Sequence, residues 1–185
     1  YLMLQLLETL GLKALEIPTD PRRGMSIEAL DLVTRESRVA ACLLVANASS
    51  ALRGKELPPN PAFARMMGEE LMPWLAAQGI EVPAARTVLA GSSYGGLASS
   101  YVALQYPGRF GKVLSLSGSY WWAPAGEAPN ALTRWWEASP RLPVEFYFDA
   151  GLYESARGGQ AGILETSRAL GDVLPFPLII RPAFT

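Results

Sequence analysis

The chain has 185 residues, half of them hydrophobic and 18% charged, which is enough for a globular domain with a substantial core. Its 16 basic and 17 acidic side chains leave a formal net charge of -1, a balance that gives no argument for nucleic acid and leaves only local basic patches open. Cys42 is the single cysteine, which excludes an intrachain disulfide, and histidine is absent altogether.

In chain order, residues 2–10 read as a helix that stops at Gly11. The opening run Leu2-Met3-Leu4-Gln5-Leu6-Leu7 is too short for a membrane span and is followed by Glu8, so no membrane association is expected. Residues 12–17 form a short predicted strand, ended by the turn signal Pro18-Thr19-Asp20-Pro21. Ser26 is a suitable N-cap for a helix over 27–37, with Ile27, Leu30 and Val33 on one face. Residues 39–46 are an apolar run like a strand buried on both faces, and Cys42 within it reads as a buried, inert thiol. A loop is expected over 47–61, then a helix over 62–78 kinked or broken at Pro73. Beyond it the pattern gives a strand at 87–90, a helix at 95–106 and a strand at 113–116. A long aromatic loop over 118–142 follows, with a helix near 130–137. A strand at 144–150, a helix at 161–173 and a last strand at 178–180 complete the order.

Strands alternating with helices predict a single α/β domain: a mostly parallel sheet in a three-layer α/β/α sandwich, with chemistry at the carboxyl ends of the strands. A truncated sheet would leave an exposed edge, so pairing into a homodimer is expected. The beginning at Tyr1 and the end at Thr185 both read as cut edges.

Gly91-Ser92-Ser93-Tyr94-Gly95-Gly96 fits G-x-S-x-G with Ser93 at its centre, between a predicted strand and a predicted helix. That is the setting of a nucleophile elbow, a sharp strained turn that lifts a serine above the sheet at the positive end of a helix. Small neighbours let the chain pass closely, and the Tyr94 N–H is the expected oxyanion donor. Ser92 competes but is off-centre. In this fold an acid should follow the next-but-one strand, where Asp149 ends the strand and Glu154 lies on the loop beyond it. A loop position suits Glu154 for reaching an imidazole, although Asp149 stays open. The imidazole itself has no candidate, and a serine without a general base is a weak nucleophile. Trp121 and Trp122 read either as stacking partners for an aromatic substrate or as core or lid packing, and Arg53 with Lys55 either as a solvated loop face or as a pair that attracts an anionic substrate.

The stretch Thr87-Val88-Leu89-Ala90-Gly91-Ser92-Ser93-Tyr94-Gly95-Gly96-Leu97, then Tyr106-Pro107-Gly108-Arg109-Phe110-Gly111 and Ser117-Gly118-Ser119-Tyr120-Trp121-Trp122, closely resembles the enterochelin (enterobactin) esterases of the esterase D group. Arg53, Glu56-Leu57, Asn60, Phe63, Glu70-Leu71 and Pro73-Trp74 upstream, and Phe146-Tyr147, Ala150-Gly151 and Glu154 downstream, extend the resemblance over about residues 50–185. It implies an α/β-hydrolase that cleaves ester bonds of a ferric catecholate siderophore in the cytoplasm. Ser93 takes the nucleophile position and Glu154 the acid position. The family's base lies in a Gly-Gly-His-Asp run after the last strand, which this sequence does not contain.

Residues 10–47 instead resemble the pyridoxal-phosphate aminotransferase-like domain of GntR-type regulators. No lysine stands in the Ser-x-x-Lys context of a Schiff base, so neither a cofactor nor a metal is expected. The expected organisation is therefore an aminotransferase-like β-α-β segment over 1–50 joined to an esterase-like segment over 51–185, as in an engineered chimera; right-handed crossovers in both folds make such an exchange feasible. The second oxyanion N–H would fall in the exchanged part, near Thr19 to Met25. Impaired esterase chemistry is the expected outcome. The alternatives are a non-catalytic engineered chimeric module and an esterase whose base comes from elsewhere.

Overall fold

The structure is a computed structural model and describes residues 19–20, 24–25, 50–156, 161–174 and 179–182. The chain divides into two compact units, Tyr1–Ala46 and Asn47–Thr185. In the first, β1 (Thr19–Asp20) pairs antiparallel with β2 (Gly24–Met25), Thr19 opposite Met25 and Asp20 opposite Gly24. The expected elements at 2–10, 12–17, 27–37 and 39–46 lie outside the described residues.

The second unit opens with α1 (Ser50–Glu56), where a loop was expected. The prolines at 58, 59 and 61 dominated that expectation. Ala51, Leu52, Arg53, Lys55 and Glu56 ahead of them are good helix formers, and the basic pair Arg53 and Lys55 sits in the last turn, where the helix dipole favours it. Asn60 then caps α2 (Pro61–Arg65), its Oδ1 accepting from the N–H groups of Ala62 at 2.9 Å and Phe63 at 3.3 Å, with Pro61 at the first position.

Pro73 neither breaks nor ends the helix that follows. The backbone passes from α2 through a π-helical segment, Met66–Leu71, straight into α3 (Met72–Ala77). A proline ring collides with the carbonyl four residues back in an α-helix; a wider turn just before it moves that carbonyl aside. The π segment has a second use. Gly68 within it is buried against Tyr106, whose ring atoms lie 2.5 Å from where a Cβ would stand, and the Tyr106 hydroxyl donates to Glu69 at 2.8 Å.

The sheet runs β3 (Val88–Ser92), β4 (Lys112–Leu116), β5 (Glu145–Ala150) and β6 (Ile179–Pro182), every neighbouring pair parallel. Crossovers α4 (Tyr94–Gln105), α5 (Ala131–Ala138) and α6 (Ile163–Val173) link them, an α/β-hydrolase type of arrangement with a mostly parallel sheet. Helix α4 is buried on nearly every side from Gly96 to Ala103, which marks it as the central helix. One sheet face presents Val113, Ser115, Phe146 and Phe148, all buried. Phe146 and Phe148 stack at 5.3 Å, Trp136 of α5 meets Phe146 edge-on at 5.2 Å, and Tyr120 meets Phe148 edge-on at 5.7 Å. Register aligns the carboxyl ends: Ser92 lies beside Leu116, and Leu116 beside Asp149. The residues just past those three positions therefore emerge side by side, and they carry the candidate site.

Candidate active site

Ser93 joins β3 to α4 with φ 56° and ψ -120°, a left-handed backbone that non-glycine residues rarely adopt. Such a residue costs on the order of 1–3 kcal/mol and persists only where its surroundings over-determine it. Here they do. The Ser93 N–H donates to the Leu116 carbonyl at 2.9 Å, and its own carbonyl accepts from Ser119 at 3.1 Å and Leu97 at 3.2 Å. Gly91 allows the close pass, because a Cβ there would stand 2.2 Å from the Gly95 carbonyl carbon. Gly96 does the same against Ser115, with 2.5 Å between the Cβ position and Oγ. Gly95, the second glycine of G-x-S-x-G, has nothing within 4 Å of its Cβ position. Its role is to be the backbone that Gly91 presses against.

The Tyr94 N–H is in the first turn of α4, where amides have no intrahelical acceptor and the helix dipole favours negative charge. The Tyr94 ring packs beside Trp121, centroids 5.9 Å apart and tilted by 49°. Trp121 is 41% exposed, whereas Trp122 is half-buried and packs on the core. The adjacent tryptophans thus face different surroundings, and Trp121 is the one next to the elbow.

Glu154 lies on the loop after β5. Its Oε2 accepts from the Ser117 hydroxyl at 2.7 Å and from the Gly151 N–H at 2.8 Å. The loop closes on the start of α6: the Glu154 carbonyl accepts from the Leu164 N–H at 3.2 Å, and Gly162 packs so tightly that a Cβ would stand 2.3 Å from that carbonyl oxygen. Glu165 strengthens the same corner, its Oε2 accepting from the Gly162 N–H at 2.9 Å. Hydrogen bonds from its own N–H first, then from Ala156 and Gly162, hold its carboxyl below the usual range. Asp149 stands in β5 itself, half-buried, and its carbonyl accepts from the Ser117 N–H at 2.6 Å. Arg53 reaches the elbow from α1, donating to the Ser92 carbonyl at 3.2 Å.

Three groups here escaped sequence reasoning. Ser117, with φ 48°, follows β4 and ties Glu154 down. Ser119 places its Oγ 3.2 Å from the Ser93 Oγ. Tyr120 is fully buried, its hydroxyl donating to Ser115 at 2.6 Å and lying 2.7 Å from Ser100 Oγ, which in turn donates to the Gly96 carbonyl at 2.9 Å. Burial pushes the Tyr120 phenol up to about 12, against the opposing pull of its bonds with Ser100 and Ser115. The alternating serines at 115, 117 and 119 were the available signal, but a period of two does not reveal the turn after Leu116 that brings Ser117 to Glu154 and Ser119 to Ser93.

A strained serine between strand and helix at the carboxyl edge of a parallel sheet defines the nucleophile-elbow class of α/β proteins. Residues 23–151 match the family described as putative esterase, and the chain belongs to it. The matched span holds Arg53, Ser93, Tyr94, Trp121 and Trp122, and ends before Glu154. The iron(III) enterobactin esterase of Escherichia coli strain K12 is 43% identical over 88 residues, 47% of this chain and 22% of that protein. The enterobactin esterase FES of Shigella flexneri, solved in the presence of 2,3-di-hydroxy-N-benzoyl-glycine, superposes with a TM-score of 0.65 at 30% identity, covering 83% of this chain and 41% of that one. An uncharacterized HTH-type transcriptional regulator of E. coli K12, YdcR, is 44% identical over 60 residues, 32% of this chain and 13% of that protein. The chain thus spans less than half the length of each.

Proposed function

We propose that this chain carries serine-esterase chemistry of the enterobactin-esterase type, acting in the cytoplasm on esters of a catecholate siderophore. The observation that carries the proposal is the Ser93 backbone, φ 56° and ψ -120°, locked between β3 and α4. Ser93 Oγ bonds to the ester carbonyl carbon and its proton passes to a base; the carbon–oxygen bond to the alcohol breaks and the alcohol oxygen takes that proton; water then adds to the acyl-serine carbonyl, the bond to Oγ breaks, the acid leaves and Ser93 regains a proton. Tyr94 N–H stabilises the tetrahedral oxyanion. Glu154, held in place through Oε2, is the carboxylate that would orient a base. Exposed Trp121 offers its face to an aromatic acyl group, with Trp122 as its packed support, and Arg53 adds positive charge beside the elbow.

The chain supplies no imidazole. Hydrolysis by these residues alone is accordingly expected to be slow, at the level left by oxyanion stabilisation and binding. That absence, together with the regulator-like match, also favours a second reading: a non-catalytic chimeric module. A fluorophosphonate probe separates the two. Under the esterase reading it attaches once per chain, on the peptide holding Ser93, and Ser93→Ala abolishes the adduct; a cooperatively folded chain that takes no label would leave the non-catalytic module.

A further inference from the structure

We propose that Ser119 is a positioning residue for the Ser93 nucleophile, an inference that rests on the esterase reading above. Ser119 is 3% exposed, on the loop after β4. It touches Ser93 twice. Its N–H donates to the Ser93 carbonyl at 3.1 Å, and its Oγ lies 3.2 Å from the Ser93 Oγ. The backbone bond fixes Ser119 against the elbow, and the hydroxyl bond then acts on the reactive atom itself.

Ser119 is also prevented from swinging away. On one side Gly118 packs so closely that a Cβ would stand 2.4 Å from the Tyr120 ring and 2.6 Å from Ser115 Oγ. On the other, Tyr120 is anchored to Ser115 and Ser100 beneath the elbow. The loop holding Ser119 is thereby pinned to β4 and α4, the elements that also hold Ser93.

A serine side chain has three staggered χ1 wells, and a buried hydroxyl partner selects one of them. In the resting state either oxygen can be the donor. Once a base draws the proton from Ser93, Ser119 can only donate, and a hydrogen bond to an oxygen gaining negative charge is stronger than one between neutral groups. Ser119 thus keeps Ser93 Oγ in the attacking rotamer and eases the charge it acquires. Both of its contacts at the elbow are with Ser93, so its action is through Ser93.

The test compares fluorophosphonate labelling of the wild-type chain, Ser119→Ala and Ser93→Ala in imidazole buffer, where the Oγ–P bond forms as P–F breaks, fluoride leaves and the hydroxyl proton passes to imidazole. Crystal structures of the unlabelled wild type and Ser119→Ala report the Ser93 rotamer. Ser119→Ala is expected to lower the saturating labelling rate about tenfold, the loss of one hydrogen bond's worth of selection. The half-saturating probe concentration and the melting midpoint should stay unchanged, with Ser93 Oγ spread over more than one rotamer. A wild-type labelling rate in Ser119→Ala, or a single unchanged Ser93 rotamer, overturns the positioning role. If the folded wild type takes no label yet Ser93 disperses in Ser119→Ala, Ser119 positions Ser93 and the esterase reading alone has failed.

Discussion

Ser93 occupies a conformation that an isolated serine avoids, and each neighbour that enforces it can be named. Gly91 is one, because its missing Cβ leaves room for the Gly95 backbone at 2.2 Å. Backbone cannot rotate out of the way as a side-chain tip can, so Gly91→Ala must push α4 off the end of β3. Overpacking of this kind costs about 1–3 kcal/mol. Gly91→Ala is expected to lower the melting midpoint and suppress labelling of Ser93. Gly95→Ala meets open space, and alanine is preferred to glycine by about 0.5–1 kcal/mol in mid-helix and by less in the first turn, so its midpoint should equal or exceed wild type. Thermal denaturation of the two variants decides this, and equal destabilisation of both would contradict it. The elbow serine was legible in the sequence because glycine spacing and a strand-to-helix change coincide there. The unequal weight of the two glycines was not, since it depends on which backbone atoms pass each Cβ position.

At the level of elements, the Tyr120 hydroxyl joins β4, α4 and the loop after β4 through Ser115 and Ser100. Its phenol, pushed up to about 12 by burial from an ordinary 10.0, ties this joint to pH. The folded chain holds the phenolic proton more tightly than the unfolded chain does. The contribution is complete below pH 10, where both states are protonated, and is lost as pH rises through about 12. Two pKa units correspond to about 3 kcal/mol. Alkaline titration should therefore show one tyrosine whose phenolate absorbance appears only with loss of near-UV circular dichroism, and Tyr120→Phe should remove that step. A wild-type chain whose tyrosines all ionise below the unfolding pH would refute the joint. The strands and helices of residues 87–182 were readable from apolar runs and their glycine and proline punctuation, to within a residue or two at most ends. The reading departed from the structure in two places along the helices of residues 50–77. Residues 50–56 lay under the influence of nearby prolines, and Pro73 was expected to kink or break a helix that runs through it without a break, with a widened π turn before it. Both outcomes are set by backbone accommodation, which residue type alone does not encode.

On the scale of the whole molecule, parallel register brings three loops to one edge. Ser93 follows β3, Ser117 and Ser119 follow β4, and Glu154 follows β5. Ser93, the tethering serines and Glu154 are thus set by the sheet rather than by any one loop, and the order of strands read from the sequence was sufficient to bring Ser93 and Glu154 to the same edge. The serines between them needed the observed turn geometry. The proposed esterase chemistry also calls for a base, and histidine is absent from the chain. Free imidazole is the missing group in soluble form, and only its neutral form accepts a proton, so any assistance should increase with pH through the imidazole titration. The most direct measurement is p-nitrophenyl acetate hydrolysis by the wild-type chain and Ser93→Ala over increasing imidazole, with the rate of imidazole alone subtracted. A pre-organised Ser93 nucleophile requires a protein-dependent rate that climbs with neutral imidazole in the wild type and vanishes in Ser93→Ala. Equal rates for the two folded chains at every imidazole concentration would contradict it.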